Sequence, residues 1–153
     1  MSLKPLALLA VLLSTPALAD AVVWDAYTEH SSACSASSTG GACTSWKQPH
    51  RLSFQHTLNE DWTLDLGAGV NSYHKTSVSA GFLYQPLALG DMRAGVFVAA
   101  ASGYTRQQLR TGFLLGGAAV SWRIGGMVME VLRVPAVGHN TVSVTQVRVG
   151  WGW

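Results

Sequence analysis

The sequence predicts an all-β chain: eight antiparallel strands joined up and down and closed into a barrel. Three observations carry that expectation. Apolar residues alternate with polar or small ones at a period of two, the mark of strands whose two faces meet different surroundings. The alternating segments run to about nine to thirteen residues, well beyond the five or six usual in soluble sheets. The connections between them alternate between tight and long, the habit of barrels that cross an outer membrane.

The segments fall at 22–30, 50–58, 61–71, 76–86, 91–102, 111–122, 126–134 and 141–153. In the third, Trp62, Leu64, Leu66, Ala68 and Val70 share one parity, while Thr63, Asp65, Gly67, Gly69 and Asn71 share the other. The fifth sets Met92, Ala94, Val96, Val98 and Ala100 against Arg93, Gly95, Phe97, Ala99 and Ala101. The last is the clearest: Ser143, Thr145, Val147, Val149, Trp151 and Trp153 against Val144, Gln146, Arg148 and Gly150. Tight turns are expected at Asn59-Glu60, near Leu89-Gly90 and at Ile124-Gly125-Gly126, and longer connections at 31–49, 72–75, 103–110 and 135–140. That alternation puts both ends of the barrel on the tight-turn side.

Composition agrees. Charged residues make up 12% of the 153, about half the roughly 25% of ordinary soluble domains. With 48% apolar residues and six Trp the chain is no disordered segment. Ten Lys and Arg against eight acids leave a net charge of +2 and no basic patch, so no nucleic-acid partner is expected. The outward parities carry almost no charge, which suits hydrocarbon and not water. A sheet survives there only without an edge, because every backbone N–H and C=O must be paired. Trp62, Trp122, Trp151 and Trp153 fall near the tight-turn ends, where indole rings favour a membrane interface.

Residues 1–19 read as a secretory signal peptide: Lys4, an apolar run from Leu6 to Leu13, then Ala17-Leu18-Ala19 as cleavage site. Residues 20–153 then form the transmembrane barrel. In an oxidising compartment Cys34 and Cys43 are expected to pair as a disulfide across a Ser/Thr/Gly-rich loop; a metal site there would need further ligands, and only His30 and His50 are near. No metal and no cofactor are expected. The aromatic C-terminus resembles the signal read by the outer-membrane assembly machinery, and a monomer is expected.

Eight strands enclose room for side chains or one small ligand, not a pore. Small or apolar residues fall on the inward parity at Gly81, Leu83, Gly95, Phe97, Ala99, Leu115 and Gly117. They leave either a slot for a hydrocarbon chain or simply tight packing in a narrow barrel. Asp65, Arg93, Arg123, Glu130, Gln146 and Arg148 are polar on the same side, and Glu130 with an arginine is the expected ion pair. Four histidines, His30, His50, His74 and His139, lie near the long-loop rim, with His56 further down a strand.

At the rim Asn71-Ser72-Tyr73 follows a Gly-rich strand. With Tyr84-Gln85-Pro86-Leu87, Arg93-Ala94-Gly95-Val96 and the ending Val134-Pro135 to Val142-Ser143-Val144, it resembles the lipid A palmitoyltransferases of the outer membrane over about residues 24–153. The resemblance implies transfer of an acyl chain from phospholipid to lipid A, with the chain held in the lumen. It implies His30 as general base, a position for which Asp25 competes, with Ser72 and Asn71 positioning the ester. Asn71 stands where that family has an aspartate, and the family's N-terminal amphipathic helix has no counterpart. Pro49 and Pro135 would stand at gaps in the strand ladder that resemble the family's lateral doors for lipid. The alternative reading is a non-enzymatic structural or binding barrel. A lipid A deacylase fits less, since it would want a His-x-Ser pair on one strand face with a distant Glu, and no His has a Ser or Thr at the required place on a lipid-facing parity. A soluble secreted barrel would need a charged outer face.

Overall fold

A computed structural model describes residues 21–30, 46–47, 50–71, 74–104, 113–135 and 143–153. Within them the strands are β1 (Ala21–His30), β2 (Trp46–Lys47), β3 (His50–Thr57), β4 (Trp62–Val70), β5 (Thr76–Leu89), β6 (Met92–Ala101), β7 (Leu114–Ile124), β8 (Met127–Val134) and β9 (Val144–Gly152). Neighbours in sequence pair antiparallel from β3 to β9, and β9 pairs back onto β1 from Gly152↔Ala21 to Val144↔His30. The sheet is therefore closed, with eight long strands as staves. β2 is not a ninth stave. Its two residues pair with Thr28 and Glu29 of β1, in line with β3, whose own ladder to β1 runs only from Ala21 to Trp24. Followed once round the barrel, the register returns to β1 about ten residues further on, a stagger that goes with strands tilted about 35–45° from the axis.

Local chemistry sets the tight-turn end. Asn59 Oδ1 accepts the backbone N–H groups of Asp61 and Trp62, both at 3.0 Å, closing the β3–β4 turn. Gly125 takes a positive φ of 59° in the two-residue turn between the paired Ile124 and Met127. β5 runs on to Leu89, three residues past its expected end at 86. Pro86 cannot donate to a ladder, but a bulge between Tyr84 and Leu87 absorbs it and pairing resumes at Leu87↔Ala94. A second bulge lies between Asp25 and Tyr27 of β1.

The faces are divided as hydrocarbon outside and polarity inside would require. Outward positions are apolar and open: Leu52 is 58% exposed, Val96 55%, Leu87 68% and Trp151 62%. Inward positions are largely polar and shut: Asp25, Ser53, Gln55, Asp65, Ser121, Glu130 and Arg148 are all buried. At the tight-turn end the Trp62 ring lies against Tyr84, with centroids 4.7 Å apart, and meets Phe82 edge-on at 6.3 Å. Trp62, Tyr84, Phe82 and Trp151 are thus part of one aromatic collar at that end. Cys34, Cys43, Pro49, Ser72, His139 and residues 1–19 lie outside the described residues.

Candidate functional site

The lumen is divided across its middle by charged side chains from five strands. Arg148 on β9 points inward and meets three carboxylates: Asp65 of β4, to which its Nη2 donates, Glu130 Oε2 of β8 at 3.1 Å, and Asp25 Oδ1 of β1 at 3.9 Å from Nε. Gln55 on β3 reaches across the barrel with one amide nitrogen, donating to Asp65 Oδ2 at 3.1 Å and to Glu130 Oε1 at 2.9 Å. Arg51 stands above, 4.0 Å from Asp65 Oδ1, and donates to Ser79 Oγ on β5. Gly67 makes that span possible: a Cβ there would fall 2.6 Å from both Arg51 Nη2 and Ser53 Oγ. The expected pairing of Glu130 with an arginine is present. Three carboxylates face two guanidiniums, in a space where unpaired charge is costly.

Two of the polar residues read as inward from the sequence keep the inward parity but stand outside the network, at the tight-turn mouth. Arg93 sits at the tight-turn mouth, 3.5 Å from Asp61 Oδ1 and donating to the Glu60 carbonyl. Arg123 lies near the same end, beside the β7–β8 turn. Conversely Arg51 and Gln55, which the sequence does not single out, belong to the network, and so does Asp25, the rival of His30 in the family resemblance. The period-two rule places Gln55 on the same face as Arg51 and Ser53, which was the available signal for β3.

Below the network, towards the tight turns, Ala21, Val23 and Val128 pack together. Above it, towards the rim, lies a cavity of about 50 Å³. One wall is apolar, formed by Gly81, Leu83, Phe97, Ala99, Leu115, Leu132 and Val134; the other is polar, formed by Arg51, Asp65, Ser79, Gln146 and Arg148. Five of the seven small or apolar residues read as lumen lining are therefore on this cavity. Gly95 and Gly117 are not, and their lack of a side chain has another use. A Cβ at Gly95 would lie 1.9 Å from the Tyr84 carbonyl oxygen, and one at Gly117 1.9 Å from that of Arg133, so each lets two strands approach closely.

Two of the described ladders end beside this cavity. β1 pairs with β3 only up to Trp24 and then with β2 at Thr28 and Glu29, and the β7–β8 ladder reaches Ala118↔Arg133, the residues opposite Leu114 and Leu115 lying outside the described ones. Arg51 stands near the first ladder end, and Leu115 and Val134 near the second.

His30 closes β1 at the rim, paired with Val144, and its side chain is buried and faces inward. Asn71 ends β4 at the same rim, also buried, and its amide is fully engaged. Nδ2 donates to the Gly103 carbonyl at 3.0 Å and Oδ1 accepts from the Lys75 N–H at 3.1 Å, so the side chain ties the 71–75 turn to the β6 end. Among the described residues no group of three His, Cys, Asp or Glu side chains is placed to hold a metal ion.

The chain matches no protein-family model and no curated protein. What it can be said to be is a small closed eight-stranded antiparallel barrel of meander topology, and its activity has to be argued from its own residues.

Proposed function

We propose that this chain is an outer-membrane barrel of a Gram-negative bacterium that admits one lipid acyl chain sideways into the rim half of its lumen. The observation that carries this reading is the position of the cavity: apolar along one wall, bounded below by the Arg148 network, and flanked by the described ends of the β1–β3 and β7–β8 ladders. The apolar outer face and the aromatic collar supply the membrane setting, with the tight turns in the periplasm and the rim outward. Loaded this way, the barrel would present the ester of a phospholipid at the rim, close to His30, Asn71 and Ser72. Transfer to lipid A then needs a base for the acceptor hydroxyl and donors for the ester oxygen, the roles assigned to His30 and to Ser72 with Asn71.

The engaged amide of Asn71 favours a second reading, a lipid-holding barrel without transfer chemistry. Mass spectrometry of lipid A separates the two. Cells producing the protein are expected to carry lipid A with one added acyl chain, and His30→Ala and Ser72→Ala are each expected to abolish the addition. An unchanged lipid A profile from correctly inserted protein would leave the non-enzymatic barrel.

A further inference from the structure

We infer that the outer wall of the barrel carries a binding site for the phosphate of an anionic membrane lipid, built by Arg133, Thr145 and Ser143. This rests on the reading of the barrel as membrane-embedded and not on any transfer chemistry.

Arg133 breaks the rule of the outer face. The inward residues of β8 are Val128, Glu130, Leu132 and Val134, so Arg133 points out, and it is exposed. It is also high on the wall. From Met127 to Arg133 the strand climbs about 15 Å, at roughly 3.3 Å per residue and a tilt of 35–45°. An apolar band about 25 Å tall would place its Cα in the outer half of the membrane. A lipid-facing arginine at the midplane costs about 2–4 kcal/mol, falling towards the interface, so one retained here needs a reason.

The guanidinium is aimed rimward. Its Nη1 donates to Thr145 Oγ1 on β9 and its Nη2 donates to Ser143 Oγ at 2.6 Å, just before that strand begins. Those two bonds hold the fork in place, leaving its remaining N–H groups for a ligand. No carboxylate among the described residues lies within ion-pairing reach; Glu29 stands across β9 on the same face. A guanidinium oriented by two hydroxyls, and in no ion pair among the described residues, is a donor suited to a phosphate, which it can meet through two parallel N–H···O bonds. The site also adjoins the described end of the β7–β8 ladder, at Ala118↔Arg133.

The test uses the refolded full chain in uncharged maltoside micelles, with bound lipid counted by native mass spectrometry. Short-chain phosphatidic acid is titrated against short-chain phosphatidylcholine, with inorganic phosphate as a third arm. Wild type is expected to bind phosphatidic acid about tenfold tighter than phosphatidylcholine, and Arg133→Gln to erase that preference. A double change, Ser143→Ala with Thr145→Val, is expected to weaken it several-fold while keeping the charge. This second variant decides the matter should Arg133→Gln fail to fold. Equal binding of both lipids by wild type, or a preference that survives Arg133→Gln, would overturn the site. Inorganic phosphate binding as tightly as the lipid would overturn the lipid assignment. The membrane reading fails by a different sign: protein that stays dispersed and folded in buffer without detergent.

Discussion

At the scale of single residues the lumen depends on Arg148. It is buried against Asp65, Glu130 and Asp25, and Gln55 of β3, the cross-strand neighbour of Asp65, bridges the first two of those acids. Replacing a whole buried charge cluster by apolar groups is often neutral, but removing one partner strands the others. Arg148→Met is therefore expected to cost about 3–5 kcal/mol, since three carboxylates would remain with only Arg51 near them. Adding Glu130→Gln removes one stranded charge and keeps an acceptor for Gln55. The double variant should then lose less than the sum of the two single changes, by about 1–3 kcal/mol of coupling. Guanidinium unfolding in micelles, followed by tryptophan fluorescence, reads both quantities. Strictly additive losses would mean that these side chains do not act as one network. Asn71 shows the other face of residue-scale reading. Sequence position alone sets it beside a serine at the rim, yet its amide is spent on the Gly103 carbonyl and the Lys75 N–H, a use visible only once the β6 end is placed opposite it.

At the scale of the strand, alternation predicts a face until a bulge interrupts it. β4 has no bulge, and its parity placed Asp65 inside and Trp62 outside from the sequence alone. β1 has one between Asp25 and Tyr27, so Ala21, Val23 and Asp25 face in, and then Thr28 and His30 do too, on the opposite parity. Nothing in Trp24-Asp25-Ala26-Tyr27 announces that step; it follows from where β2 and β3 each meet β1, one register apart. The consequence can be checked by labelling. With each residue replaced singly by Cys, and Cys34 and Cys43 changed to Ser, Glu29→Cys is expected to react readily with a water-soluble maleimide in micelles. His30→Cys should react at least tenfold more slowly, since its side chain faces the closed lumen. Matching rates at 29 and 30, or the reverse order, would show that the bulge does not turn His30 inward. The same logic explains why β5 outran its expected end. Proline reads as a terminator, and only the pairing of Leu87 with Ala94 reveals that the ladder steps around it.

At the scale of the molecule, the division of surfaces was the most legible feature, because it is written into every strand at once. The sparse charge of the sequence already demanded an apolar outside, and the inward parity offered the pairing of Glu130 with an arginine, whereas the part played by Gln55, which reaches Glu130 across the lumen, follows only from the closed barrel. The network across the lumen has a consequence for transport. A barrel of eight strands leaves space for little beyond side chains, and here the space is closed at two levels of different chemistry. The Arg148 network spans the middle, and beneath it Ala21, Val23 and Val128 pack on one side of the tight-turn end while buried Gln85 and Ser121 are hydrogen-bonded on the other. The cavity of about 50 Å³ is on the rim side of both levels. An ion entering from the rim would meet an arginine already held by three carboxylates and then a second level of buried side chains, where an unpaired charge is strongly disfavoured. Wild-type protein in planar lipid bilayers is therefore expected to show no channel events above background. Arg148→Met should remain silent as well, because the second level is independent of the network. Val23→Gly together with Val128→Gly in that background removes the second barrier, and brief openings are expected only there. Steady conductance by the wild type would require a continuous water path through both levels, and with it a lumen that passes solutes from one side of the membrane to the other.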